Sequence, residues 1–470
     1  MADTFRIERD SLGELKVPAD AYYGVNVARA LANFPVSSRR IHPKIIDAYC
    51  WIKRAAAQVN MDAGRLSPEK ARAIEQAADE VLAGKLRDQF VVDLFQAGAG
   101  TSTNMNVNEV LCNRALELLG HAKGEYETLN PNDHVNMGQS TNDTYPTAMR
   151  LATFDLLERF YPEAEHLARS LATVGQRYEN ALKSGRTHLQ DAVPITLGRE
   201  FTAYGQAIRE AARHVRRTAD DLLDLGIGGS AVGTGMNTHP EYAQQVVEEI
   251  ARLTGYPFRK AEDLVHAMQS QAAVGRTSSA LRDFAVELGR IANDLRLLSS
   301  GPTTGLAEIR LPEVQAGSSI MPGKVNPSIP EMVNMVCFHA IGNDLTVSQA
   351  VAAGQMELNV FMPIMAENIL ESVEILTSAC RQLAVGCVDG ISADLARCQD
   401  YAYRSMGLAT ALAPHLGYLA AAKVAKKALA EGKTITDLVR EEKLLSDEEL
   451  KRILDPVRMT RPDPDLAAKK

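Results

Sequence analysis

A mainly all-α fold built around a long helical bundle follows from the spacing of apolar residues along this chain. From Leu157 they continue through Phe160, Ala164, Leu167, Leu171, Val174, Tyr178 and Ala181 in alternating steps of three and four, the heptad spacing that holds one helix face against a partner. A second seam runs Leu281, Phe284, Leu288, Ile291, Leu295 and Leu298, and Phe201 to Leu225 follows a less regular version. Helices of this length exceed the usual globular mean, so a bundle with the seams as its core is the expected architecture.

Taken in order, residues 1–140 read as an N-terminal mixed, mainly helical domain of short helices and loops. There Ser67-Pro68-Glu69 supplies an N-cap followed by proline at the first helical position. Residues 141–395 carry the seams and form the central long-helix domain. Residues 396–470 read as a small C-terminal helical domain, with Gly432 as a stop signal and Ser446-Asp447-Glu448-Glu449 as a capping box. Neither a low-complexity segment nor a repeat of fixed period interrupts this plan.

The composition narrows the functional classes. At 470 residues with 46% hydrophobic content, the chain can bury large cores. A formal charge of −8, from 51 basic and 59 acidic residues without a long basic run, provides no electrostatic footprint for nucleic acid. The first ten residues lack the apolar core of a signal peptide, and no apolar run approaches the ~18–20 residues that span a bilayer. A cytoplasmic protein without a membrane partner is therefore expected. The six cysteines show neither C-x-x-C nor zinc-finger spacing and are expected to be reduced core thiols. The ten histidines are scattered without an H-E-x-x-H, so no metal site and no cofactor are expected.

Two motifs are declined. Gly226-Ile227-Gly228-Gly229-Ser230-Ala231 fits the loose dinucleotide fingerprint, but a helix-patterned segment precedes it where the fingerprint needs a strand. Ser67-Pro68-Glu69-Lys70 fits S-x-x-K, but its companion motifs are missing and helix capping explains it.

The chemistry concentrates in Gly317-Ser318-Ser319-Ile320-Met321-Pro322-Gly323-Lys324-Val325-Asn326-Pro327. Its glycines reach dihedrals closed to other residues and its prolines each fix one, which describes an ordered but movable loop able to close as a lid. Ser318 and Ser319 supply a hydroxyl able to act as nucleophile or base. Lys324 and Asn326 supply a cation and an amide suited to a carboxylate.

This loop resembles the signature of the aspartase/fumarase superfamily, lyases that add or remove a small group across the double bond of fumarate or a fumaryl product. Three further blocks resemble the other family signatures, in the family's order: Gly98-Ala99-Gly100-Thr101-Ser102-Thr103-Asn104-Met105-Asn106, Gln139-Ser140-Thr141-Asn142-Asp143 and Gly185-Arg186-Thr187-His188-Leu189-Gln190-Asp191. The similarity runs from about Phe5 to the last helices. It implies a three-domain lyase assembled as a homotetramer whose long helices share a core, with each site built where three subunits meet.

For a small dicarboxylate substrate, elimination removes a proton from the carbon beside one carboxylate. The carbanion must then spread its charge onto that carboxylate as a dianionic enediolate, so donors must already be aimed at its oxygens. The resemblance implies that Thr101, Ser140, Thr141 and Asn142 surround the substrate, with the β-carboxylate among the hydroxyls. It also implies that Ser318 is the base, with Ser319 beside the substrate. Thr187, Lys324 and Asn326 would hold the α-carboxylate. His188 would bind substrate or relay protons, with Glu331 fixing its tautomer. A serine becomes a base only where backbone N–H groups and a cation stabilise its alkoxide.

Finer likenesses separate the branches of the family. Ser102, Lys123-Gly124-Glu125-Tyr126, Leu129-Asn130-Pro131-Asn132-Asp133-His134, Thr141 and Leu311-Pro312-Glu313-Val314-Gln315-Ala316 look like the aspartase branch, which eliminates ammonia from L-aspartate. Phe361 is closer to the class II fumarases, Met362 lacks the charge common in either branch, and Gly301-Pro302-Thr303-Thr304-Gly305 lacks an arginine often seen there. L-malate dehydration is thus the alternative chemistry. A non-catalytic structural member is a third reading, against which the retained Ser318, Lys324, Asn326 and His188 argue.

Overall fold

The computed structural model describes residues 5–462. The chain divides into two compact units. One comprises Met1–Tyr161, Arg213–Ala285 and Phe338–Leu376; the other comprises Pro162–Ala212, Val286–Cys337 and Thr377–Lys470. Five long helices contribute to both: Thr141–Arg177, Leu197–Ala219, Ala272–Leu298, Ser328–Ala352 and Met362–Gly386.

These helices are the expected bundle. Leu157, Phe160, Ala164, Leu167, Leu171 and Val174 are completely buried along the first of them, and Leu281 to Leu298 are buried along the third. In the first unit the two seams meet edge-to-face at Phe160 and Phe284, whose ring centroids lie 4.9 Å apart. In the second, Gly289 lies against Cys337, and Arg381 pairs with Glu163 at 2.6 Å.

The first seam and the less regular Phe201–Leu225 pattern both run past the helices that use them, whereas the Leu281–Leu298 seam lies within its helix. Tyr178 and Ala181 lie beyond the end of their helix at Arg177, because their carbonyls accept from Gly198 N at 3.0 Å and Leu197 N at 2.8 Å where the chain turns into a hairpin. The pattern from Phe201 to Leu225 likewise breaks after Ala219 into a 3₁₀ turn and a two-residue strand. Asp220 and Asp221 stand there, and their charge opposes the negative end of a helix dipole.

The first 140 residues are more regular than expected. They begin with an antiparallel hairpin, Phe5–Asp10 with Gly13–Pro18, whose turn is completed by Gly13 at φ 114°. Three substantial helices follow at Pro43–Asp62, Pro68–Leu82 and Thr101–Leu118. The caps at Ser67 and Ser446 and the left-handed stop at Gly432 are as the sequence indicates. Past residue 395 the helices shorten and enclose a small core of their own around Leu412, Val424, Leu438 and Leu450.

The segment before Gly226 is corrected. A short strand, Asp224–Leu225, pairs parallel with Arg259–Lys260. The glycines nevertheless run into turns, and the next helix starts only at Tyr242, so the helix N-terminus that a dinucleotide pyrophosphate requires is missing. All six cysteines are buried and free. No helix among the described residues is long and apolar enough to cross a membrane.

Candidate active site

The loop carrying Ser318 is closed at its neck by its own backbone. Gly317 N donates to Lys324 O at 2.8 Å, and Asn326 Nδ2 donates to Gly317 O at 2.7 Å. A Cβ on Gly317 would stand 2.5 Å from Lys324 O, so the neck admits only glycine. Within the loop, Ile320 N at 3.2 Å and Met321 N at 2.9 Å both donate to Ser318 Oγ. A neutral hydroxyl accepts these bonds weakly, and an alkoxide would accept them strongly. Ser318 is half-buried, whereas Ser319 and Lys324 are exposed. Lys324 has no carboxylate within ion-pair distance among the described residues. The loop runs directly into the N-terminus of the Ser328–Ala352 helix, whose first turn carries Glu331.

Thr187 and His188 stand on the hairpin formed by Leu182–Thr187 and Gln190–Thr196. Its two-residue turn is His188-Leu189, with φ of 57° and 58°. Both dihedrals positive match the twist of a hairpin, but the turn usually takes Asn-Gly. Holding His and Leu there stores strain that surrounding structure must offset, as is common at working sites. The offset begins two residues before the turn. Arg186 donates to both oxygens of the fully buried Glu308, at 3.0 and 2.9 Å, and Lys183 Nζ lies 3.4 Å from the same carboxylate. Neither a hydrogen bond nor an ion pair joins His188 to Glu331 among the described residues.

The remaining blocks belong to the other unit, again at helix starts. Thr101 opens the Thr101–Leu118 helix after Ala99 and Gly100, at φ 59° and 83°. Gly100 is obligatory because a Cβ would lie 2.0 Å from the Tyr145 ring. Ser140 Oγ accepts from Asn142 N at 3.2 Å at the start of the Thr141–Arg177 helix, and Asn142 Nδ2 donates to Ala231 O at 2.8 Å. Each of these ends presents the positive potential of a helix N-terminus, which suits a carboxylate.

Beneath them lies a buried polar network that motif reading missed. Lys53, fully buried, donates to Asn104 Oδ1 at 2.9 Å, Asn136 Oδ1 at 2.9 Å and Gln139 Oε1 at 2.8 Å. Asn104 Nδ2 in turn donates to Thr141 Oγ1 at 3.1 Å. Burial pulls the Lys53 ammonium down to about 7, opposed by the negative charge of Asp143. Asp143 Oδ2 accepts from Gly228 N at 3.0 Å and Ser230 N at 2.9 Å, fixing the glycine-rich segment whose Ala231 holds Asn142.

Asn142, Ala231, Val232, Gln355, Glu357, Leu358 and Val360 line a cavity of about 280 Å³. Asn359 pins this rim, donating to Ala350 O at 2.9 Å and accepting from Phe361 N at 2.9 Å. Ala99 N donates to Val360 O at 2.7 Å, which ties the Thr101 turn to the same rim. The unit thus gathers Thr101, Ser140, Thr141 and Asn142 with the Leu358–Val360 run. Glu357 is a further candidate that no motif indicated. Among the described residues no group of three or more His, Cys, Asp or Glu is placed to hold a metal ion.

The sequence pattern of a family described as "Lyase" matches residues 13–342, and one described as "Fumarase C C-terminus" matches residues 408–461. The chain belongs to the aspartase/fumarase superfamily. Among curated members of this superfamily, the aspartate ammonia-lyase of Bacillus subtilis (strain 168) is 47% identical over 458 residues, covering 97% of this chain and 96% of that one. The enzyme of the same name from Escherichia coli (strain K12) is 47% identical over 465 residues, covering 98% and 97%. Among solved structures, a class II fumarase from Schistosoma mansoni superposes with a TM-score of 0.95 at 37% identity, over 98% of this chain and 100% of that one. A fumarate lyase:delta crystallin from Brucella melitensis bound to cobalt gives 0.94 at 47% identity, over 98% and 100%.

Proposed function

We propose that this chain is an aspartate ammonia-lyase, converting L-aspartate reversibly to fumarate and ammonia. The observation that carries the reading is Ser318 with two backbone N–H groups directed at its hydroxyl oxygen, in a chain 47% identical over nearly its whole length to aspartate ammonia-lyases.

Ser318, as its alkoxide, takes the proton from the carbon beside the β-carboxylate. The electron pair left on carbon spreads onto that carboxylate as an enediolate, which Thr101, Ser140 and Thr141 stabilise together with the helix ends that carry them. The pair then returns to form the double bond as the C–N bond breaks. The nitrogen leaves with the bonding electrons. Thr187, Lys324 and Asn326 hold the α-carboxylate. Asn326 does so through what its amide has left after bonding Gly317 O. Ser319 lies beside the substrate, and His188 relays a proton with Glu331 fixing its tautomer.

An ammonium needs acceptors around it, where a hydroxyl can use donors as well. Asn142 Nδ2 donates to Ala231 O, which leaves its Oδ1 available as an acceptor, and Glu357 lines the same cavity. These groups favour an ammonium leaving group over a hydroxyl.

The working form we propose is a cytoplasmic homotetramer, with three copies contributing to each site and the chain divided at about residues 140 and 395. The Ser328–Ala352 helix supports the assembly. Met335, Phe338 and Leu345 stand exposed along it at helical spacing, each more than 60% accessible. An apolar stripe of this kind calls for a partner surface.

The test compares kcat/KM for L-aspartate and L-malate on one purified preparation, following fumarate by ultraviolet absorbance. L-aspartate should be preferred by about 10⁴-fold, because the wrong leaving group strands a buried polar partner. A clear preference for L-malate would move the assignment to fumarase.

A further inference from the structure

The first unit holds a second, larger cavity of about 750 Å³ that shares no lining residue with the first. That volume is typical of small-molecule sites. Its lining includes Arg150, Lys260, His266 and Arg276 together with Asp221, Asp224, Glu262 and Asp263.

Most of these charges are already matched. Asp221 pairs with Arg276 at 2.7 Å and Asp224 with Arg259 at 2.6 Å. Asp263 caps a short helix through Val265 N at 2.8 Å and His266 N at 3.1 Å.

Arg150 is the exception. Its side chain is 5% exposed, its Nη1 bonds the Asp224 carbonyl, and its Nε has no partner. No carboxylate forms an ion pair with it among the described residues. Burial pulls it down to about 10, the nearby charge of Asp224 opposes that shift, and the like charge of Arg276 adds to it. Lys260, beside it on the lining, bonds only the Ala261 carbonyl, at 3.2 Å. Leaving a buried cation without a counter-charge costs several kcal/mol. The same wall contains Ala272 and Ala273, the first residues of the Ala272–Leu298 helix, whose N-terminus adds positive potential. Glu262 has no partner among the described residues, and Asp263 is bonded by backbone N–H groups without a paired cation. Opposite these two carboxylates stand two cations without a paired carboxylate, one of them the buried Arg150, and a helix end.

We propose that this cavity binds a small oxyanion, a carboxylate- or phosphate-bearing metabolite, with Arg150 and Lys260 as its principal ligands. The proposal is independent of the lyase reading.

The experiment uses the full-length protein carrying Lys324→Ala, so that a dicarboxylate cannot report through the catalytic loop. Inorganic phosphate and succinate are each titrated by calorimetry. Saturable binding of either one is expected, and the tighter of the two assigns phosphate or carboxylate as the recognised group. In the same background Lys260→Gln should weaken that binding by about tenfold, as loss of one charge-assisted bond implies. Arg150→Met should abolish it while the protein still folds, since removing an unmatched buried charge with its polar head leaves an apolar stem of similar length. Should Arg150→Met fail to fold, the half-buried Lys260 position decides. Absence of binding by both anions, or equal affinity in Lys260→Gln, would overturn the proposal. So would an Arg150→Met protein that loses self-association when the unaltered protein binds neither anion, since the counter-charge would then belong to a second copy of the chain.

Discussion

Replacing Ser318 by Ala separates a catalytic hydroxyl from a loop-forming one. Ile320 N and Met321 N approach Ser318 Oγ at 3.2 and 2.9 Å. Each such bond to a charged oxygen contributes about 1.5–3 kcal/mol, so the pair favours the alkoxide by about 3–6 kcal/mol. That corresponds to about 10²–10⁴ in rate, which is also the usual range for a positioned general base. If the hydroxyl merely closed a turn, its loss from an exposed loop would cost stability of about 1 kcal/mol or less and leave turnover alone. The assay is fumarate formation from L-aspartate, with circular dichroism and sedimentation showing unchanged fold and assembly. We expect kcat to fall by 10²-fold or more. A correctly assembled Ser318→Ala protein with kcat within about tenfold of the parent would refute the assignment.

Lys53→Met should orphan Asn104 Oδ1 and Gln139 Oε1, at about 1–3 kcal/mol each, and loosen the Asn104 contact to Thr141, lowering kcat/KM by about tenfold or more; unchanged kinetics would show that the network does not position the block. Because Lys53 falls from its ordinary 10.5 to about 7 in the folded chain, the unfolded chain binds more protons between those values. Its contribution to stability therefore rises with pH across that window, and Lys53→Met should flatten this part of a denaturation-against-pH profile. Glu308→Gln breaks the buried pair with Arg186 and should destabilise the protein by about 3 kcal/mol or more, read as a lower urea midpoint, together with a raised KM through the His188 turn. Finally, Ser318→Ala and His188→Ala proteins, each inactive alone, should regain partial activity when dissociated and reassembled together; no recovery in demonstrated mixed tetramers would place each site within one chain.

The bundle was legible because heptad spacing records which face of a helix is buried, and Leu157 to Val174 and Leu281 to Leu298 are buried accordingly. Where those helices stop was less legible. Tyr178 and Ala181 continue the apolar pattern, yet their carbonyls are claimed by Gly198 and Leu197, residues about twenty positions away. Competition for a backbone acceptor leaves no local trace. The opening hairpin did leave one, in the alternation of Arg6-Ile7-Glu8 and Leu15-Lys16-Val17 around Gly13, but two short strands register weakly beside long helical seams.

The candidate site divides along similar lines. Hydroxyls, amides and the loop lysine could be named because they are polar residues packed beside glycine and proline, a combination that few structural loops need. Lys53 could not. It is one lysine in the middle of a helix with Ala55, Ala56 and Ala57 beyond it, and nothing in its neighbourhood announces that three amide oxygens from residues 104, 136 and 139 converge on its ammonium. The arrangement follows from what the visible residues require. Thr141 can direct its hydroxyl at a carboxylate only if its own oxygen is held from behind. Asn104 does this with its amide N–H groups, which leaves an amide oxygen needing a donor in a place water cannot reach. Lys53 supplies that donor, and the cost of burying its charge is moderated by Asp143, which also holds the Gly228–Ser230 backbone. The polar block at the helix start therefore rests on a buried ion that no motif contains, and for this reason variants at Lys53 are a sharper test of how the site is built than variants at the hydroxyls themselves.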